Sequence, residues 1–178
     1  MPRLFIAVDI PERIKNDITD TYMALPGARW VEDEKIHITL SFIGEVDNPT
    51  EQTIKNSLRT ITVAPFTLSL KGVGYFPPRG QPRIIWVGLS NSQELIRLQG
   101  KIERVLTVSG IETEKRKFHP HITIARLDNT PEQRVAQYLA LNSLLTSEPF
   151  EVSAFHLYTS ILRKEGALYS KSASFSLC

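Results

Sequence analysis

Two short stretches of this 178-residue chain carry the same residue types in the same order. Ile36-His37-Ile38-Thr39-Leu40-Ser41-Phe42 lies in the first half, and Phe118-His119-Pro120-His121-Ile122-Thr123-Ile124-Ala125-Arg126 in the second. Imidazole is the side chain whose ordinary pKa lies nearest neutrality, so each histidine can give or take a proton at physiological pH. Two of them flanking one substrate suit in-line displacement at phosphorus. One takes the proton of the attacking water and the other protonates the departing alkoxide. A threonine two residues on can donate to a non-bridging phosphate oxygen, and this scheme needs no metal. An added arginine would neutralise charge growing on the phosphoryl group.

Both stretches read as strands, rich in Ile, Leu and Thr. Alternate side chains of a strand share a face. His37 and Thr39 are therefore expected on one face, with Ile36, Ile38 and Leu40 in a core. His121 and Thr123 are expected to stand likewise against Ile122 and Ile124. Phe42 and Arg126 each follow their histidine by five residues, the wrong parity for that face, so a bulge or strand end is required to bring either into a cleft. Phe42 would either stack on a base or join the core.

The elements that position these strands repeat. Leu4 to Asp9 reads as a buried strand, and Pro11 opens a helix carrying Ile14, Ile18, Tyr22 and Leu25 up to Pro26-Gly27. Arg29-Trp30-Val31 is a short extended piece before the first His strand. A helix from Asn48-Pro49 carries Ile54, Leu58 and Ile61, and a strand runs from Phe66 to Tyr75, with a loop at Pro77-Pro78-Arg79-Gly80. Then Ile84 to Leu89 is a strand. Asn91 with Glu94 suggests a capping box for a helix with Leu95, Leu98, Ile102 and Leu106. After the second His strand, Thr130-Pro131-Glu132-Gln133 predicts a capped helix with Pro at its first position. Strands from Phe150 to Ser160 and from Ala167 to Leu177 finish the chain. Each half is strand, helix, His strand, helix, strand. The offsets from His37 to His121, Pro49 to Pro131 and Phe66 to Phe150 are nearly constant. This order predicts a single domain, 1–178, built by internal duplication of roughly 1–78 and 79–178, with two lobes about a pseudo-twofold axis and one His-Thr pair per wall.

Composition sets the outer bounds. A net charge of +2 permits an anionic ligand but falls short of a dedicated nucleic-acid coat protein. The one cysteine, Cys178, allows no intrachain disulfide and points to a reducing, cytoplasmic setting. The apolar run at the N-terminus is too short for a signal peptide, and nothing approaches membrane-spanning length. His119 shares parity with His121, but no cysteine or third histidine sits near enough in sequence to suggest a metal site. His156 reads as structural. Lys115-Arg116-Lys117 would line an approach for an RNA backbone or form a solvated loop. Arg29, Lys35, Arg79, Arg83 and Arg163 are further basic candidates that the sequence does not rank.

The paired His-x-Thr motifs, the second inside Phe-x-Pro-His-Ile-Thr-Ile-Ala-Arg, resemble those of the two-histidine phosphoesterases. They are most similar to the bacterial and archaeal RNA 2′,3′-cyclic phosphodiesterases, once called 2′-5′ RNA ligases. The resemblance extends to Leu4-Phe5-Ile6-Ala7, Arg29-Trp30-Val31, Phe42-Ile43-Gly44, Leu157-Tyr158-Thr159-Ser160 and Gly166-Ala167-Leu168-Tyr169. It implies a bilobal α+β fold, with lobes of antiparallel sheet, helices packed outside and the active site in the central cleft. It implies metal-independent, cofactor-free opening of a terminal 2′,3′-cyclic phosphate to a 2′-phosphate, with His37 as proton donor, His121 as proton acceptor and a functional arginine at Arg126. Reverse 2′-5′ ligation is allowed by microscopic reversibility. Two alternatives stand beside this reading: the same chemistry on a small cyclic nucleotide or an ADP-ribose cyclic phosphate, and a noncatalytic RNA-end binder.

Overall fold

The computed structural model describes residues 2–178. In chain order, β1 (Arg3–Asp9) and α1 (Glu12–Thr19) lead to β2 (Ala28–Trp30), a 3₁₀ turn (Asp33–Lys35), β3 (His37–Glu45), α2 (Asn48–Leu58) and β4 (Phe66–Phe76). The remainder is β5 (Ile84–Ser90), α3 (Gln93–Val108), β6 (His121–Leu127), α4 (Glu132–Leu141), β7 (Phe150–Val152), β8 (Ala154–Arg163) and β9 (Gly166–Ser176). The strands form two antiparallel sheets, ordered β3-β1-β8-β9 and β2-β6-β5-β4-β7. This is the expected α+β arrangement of two sheets, each holding one His strand.

The sheets do not coincide with the sequence halves. β4, from the first half, pairs with β5, while β8, from the second, pairs with β1. The strand expected from Phe150 to Ser160 is consequently two. Phe150 and Val152 pair with Leu68 and Phe66, and from Ala154 onward the chain pairs in the other sheet with β9 and β1. Val152 and Phe155 are both buried on either side of the crossing, so continuous apolar character concealed the change of sheet.

Helix faces follow the hydrophobic spacing. Leu95, Leu98, Ile102 and Leu106 recur at helical period along α3 and are wholly buried. Each such side chain contributes at most about 1.5–3 kcal/mol of apolar burial. Ile14 and Ile18 do the same for α1, in one continuous core with Ile38, Leu40 and Ile54.

Helix ends differ from expectation in several places, α2 among them, which ends at Leu58 and leaves Ile61 beyond it. Pro11 is the N-cap of α1 rather than its first residue, and α1 stops at Thr19, where the Thr21 hydroxyl donates to the Ile18 carbonyl at 2.7 Å. Tyr22 and Leu25 therefore reach the core from a turn. The capping box at Asn91 does not form: Asn91 takes φ of 57° to turn the chain out of β5, Ser92 is the cap, and Glu94 faces Arg97 at 3.3 Å. Thr130 does not cap α4 either. Pro131 holds that position, and Thr130 is buried against Gly27, where an added Cβ would lie 2.9 Å from its hydroxyl.

Candidate active site

β3 and β6 each open with the motif histidine, and the chain just before each strand fixes its ring. The 3₁₀ turn presents the Lys35 carbonyl to His37 Nδ1 at 2.6 Å. His119, ahead of Pro120, presents its carbonyl to His121 Nδ1 at 2.5 Å. A carbonyl only accepts, so Nδ1 carries hydrogen in both rings and Nε2 of the neutral form is left as an acceptor. The Thr39 hydroxyl donates to His37 Nε2 at 2.9 Å. His119 thus supplies a backbone acceptor, and among the described residues no group of three or more His, Cys, Asp or Glu side chains is placed to hold a metal ion.

The parity problem is solved by a bulge at the same motif position in both strands. In β3, Ile6 pairs with Ser41 and Ala7 with Thr39, so Leu40 has no opposite number. In β6, Ile85 pairs with Ala125 and Trp86 with Thr123, so Ile124 has none. Consecutive residues, Leu40 and Ser41 or Ile124 and Ala125, therefore both turn into the core, and the next side chain returns to the histidine face. That side chain is Phe42 in one strand and Arg126 in the other.

A cleft of about 450 Å³ receives all six sequence-derived candidates: His37, Thr39 and Phe42 from one wall, His121, Thr123 and Arg126 from the other. Phe42 is 40% exposed there rather than in the core. Of the further basic candidates, Arg29 and Lys35 line the cleft, whereas Arg79, Arg83 and Arg163 lie outside it. Lys115-Arg116-Lys117 sits in the exposed loop leading to β6. Glu114 there donates its N–H to the Phe42 carbonyl at 3.2 Å, while its carboxylate holds Arg116. His156 faces Asp9 and Ser174 instead of the cleft.

Burial lowers the pKa of both motif histidines, against the opposing effect of the Nδ1 hydrogen bonds to Lys35 and His119. Aromatic rings pack against both imidazoles. Phe5 lies 5.2 Å from the His37 ring and Tyr169 stands edge-on at 5.7 Å, while Phe76 meets His121 edge-on at 5.3 Å. Neither Phe5 nor Tyr169 was singled out from sequence alone as a site residue. Both are strand aromatics with nothing local to separate a core ring from a cleft ring, and only pairing of β1 with β3 and of β8 with β9 brings them here.

The sequence pattern of the 2′-5′ RNA ligase superfamily matches residues 10–162, most of the chain. The chain belongs to the 2′-5′ RNA ligase superfamily. Within that superfamily it is 37% identical over 161 residues to a protein of Aeropyrum pernix named RNA 2′,3′-cyclic phosphodiesterase, covering 88% of this chain and 89% of the relative. A protein of the same name from Archaeoglobus fulgidus is 36% identical over 171 residues, covering 94% and 96%. Among solved structures, superfamily likeness extends to LigT of E. coli complexed with 3′-AMP, with TM-score 0.78 and 26% identity, covering 99% of each chain. The protein TT0787 of Thermus thermophilus superposes with TM-score 0.80 at 26% identity, covering 98% of this chain and 97% of that one.

Proposed function

We propose that this chain opens RNA 2′,3′-cyclic phosphate ends to 2′-phosphomonoesters, by acid–base catalysis between two histidines and without a cofactor. The observation that carries the reading is that two imidazoles with the same fixed tautomer share one cleft, each beside a threonine. The names of the relatives in Aeropyrum and Archaeoglobus support the same substrate class.

In this scheme the cyclic phosphate lies between the walls. His121 Nε2, neutral and held by the His119 carbonyl, takes the proton of the attacking water. The new bond forms from that water oxygen to phosphorus, and the bond from phosphorus to O3′ breaks. His37, protonated on Nε2, gives its proton to O3′, leaving the phosphate on the 2′ position. Thr39 and Thr123 donate to non-bridging oxygens, Arg126 balances the charge on them and Phe42 offers a face to the terminal base. Burial disfavours the charged form of both rings, and an anionic phosphate between them favours one proton in the site, which this scheme places on His37.

The lone cysteine supports a reducing, cytoplasmic setting. Among the described residues no helix is long and apolar enough to cross a membrane. The test is a defined oligonucleotide ending in a 2′,3′-cyclic phosphate, with the product followed by ³¹P NMR. A 2′-phosphomonoester is expected. A 3′-phosphate product would reverse the assignment of the leaving oxygen, and absence of any conversion would refute the activity.

A further inference from the structure

The two half-sites are alike in tautomer, threonine and bulge, yet the scheme needs them to behave oppositely. Their strand partners differ. Asp9 of β1 stands directly across from His37, whereas Gly88 of β5 stands across from His121. Directly opposed residues of an antiparallel pair share a face, with Cβ atoms about 4.5–5.5 Å apart. No side chain fits at Gly88, because an added Cβ would lie 2.4 Å from the Lys71 carbonyl oxygen. The inequality is therefore built into the backbone.

We propose that Asp9 is a positioning residue that keeps the transferable proton on His37 rather than on His121. This rests on the reading of the pair as proton donor and acceptor given above. The carboxylate is held in place by three neighbours. Tyr158 donates to Oδ1, Lys171 Nζ lies 2.6 Å from Oδ2, and His156 Nε2 lies 3.4 Å from Oδ2. His156 is itself oriented by Ser174 at 2.8 Å. Burial alone would favour the neutral acid, but the hydrogen bonds from Lys171 and Tyr158 outweigh it and hold the Asp9 pKa below the usual carboxylate range. Asp9 is thus an anion near neutrality.

The field at His37 has other sources. Lys15 on α1 opposes protonation, and Lys171 partly neutralises Asp9. Across the cleft, Arg126 and His121 add positive or titrating charge, as does Arg29 on β2. Lys35 and Glu32, ahead of β3, face each other at 4.0 Å and offset one another. Asp9, although partly neutralised by Lys171, is the carboxylate that raises the His37 pKa against the effect of burial. On the acceptor side no carboxylate among the described residues plays that part, and the neighbouring His119 disfavours the charged ring.

The experiment is an NMR titration of the imidazole Cε1–H resonances, assigned with single His→Gln variants, in the wild type, Asp9→Asn and Lys171→Met. Asp9→Asn should lower the His37 midpoint by about half to one pH unit and leave that of His121 in place. Lys171→Met should move the His37 midpoint the other way. The limb of the kcat/KM profile on which activity falls as pH rises should follow in the same two directions. A His37 midpoint unmoved in both variants, or equal shifts at His37 and His121, would overturn the role of Asp9. Failure of the wild type to turn over substrate would sink the proposed function and leave the titration to decide this point by itself.

Discussion

At the level of single side chains, the proposed scheme divides the site into groups that move protons and groups that stabilise charge. Arg126 and the two threonines belong to the second kind, since none has a basicity suited to proton transfer near neutrality. Removing one preorganised donor to developing charge costs about 10²–10³ in rate in comparable sites. Arg126→Met is accordingly expected to lower kcat/KM by about that factor. Thr39→Val and Thr123→Val should each lose about tenfold or somewhat more, as for hydrogen bonds to a charged group. Steady-state rates on a cyclic-phosphate oligonucleotide decide this, and an Arg126→Met rate equal to wild type would remove Arg126 from the site. The histidines and threonines were legible as candidates because their types repeat at fixed spacing, whereas Arg126, which has Phe42 as its counterpart, was singled out only by the family resemblance. Asp9, Phe5 and Tyr169 were not, because their relevance comes from strand pairing between distant segments, to which no local pattern points.

Among the elements, the bulges at Leu40 and Ile124 matter most, since without them Phe42 and Arg126 would face away from the histidines. Parity alone exposed the need for such a device, although not its location. Helix faces were equally legible: apolar residues at helical spacing ended wholly buried in α1 and α3. Caps were less so. The sequence around Thr130 has the residue types of a cap, but burying that side chain beside Gly27 took precedence over capping. The cap that does form is Asp47, whose Oδ1 accepts from the Thr50 N–H at 2.8 Å at the start of α2. Asp47→Ala should lower the stability of the fold with kcat unchanged. Urea unfolding measures it, and no change in midpoint would mean that α2 is set by Ile54 and Leu58 packing alone.

For the whole molecule, we propose that residues 1–178 form one domain that arose by duplication, with the third major strand of each half exchanged between sheets. The mirrored orders β3-β1-β8 and β6-β5-β4, and a bulge at the same motif position in each His strand, support it. The constant offset was readable from sequence. The exchange was not, because β4 and β8 carry the same apolar signal whichever sheet they join. Stability should depend on pH in a way set by the buried rings. His37, His121 and His156 all have pKa values depressed first by burial, so between the folded value and the ordinary value near 6.5 the unfolded chain binds more protons. Stability is then complete above about pH 6.5 and is lost as pH falls through the folded-state values, so the urea midpoint should be lower at about pH 5 than at about pH 7.5. A midpoint that rose on acidification would contradict the neutral burial of these rings.

The convergence of both lobes on one phosphoryl group is tested most directly by turnover of a 2′,3′-cyclic-phosphate oligonucleotide in EDTA by His37→Ala, His121→Ala and the double variant. Wild-type activity should persist in EDTA, and each single change should cost about 10²–10⁴-fold. The double variant should be little worse than either, as for groups that act as a unit. Loss of wild-type activity in EDTA, or a single variant that keeps near-wild-type turnover, would contradict it.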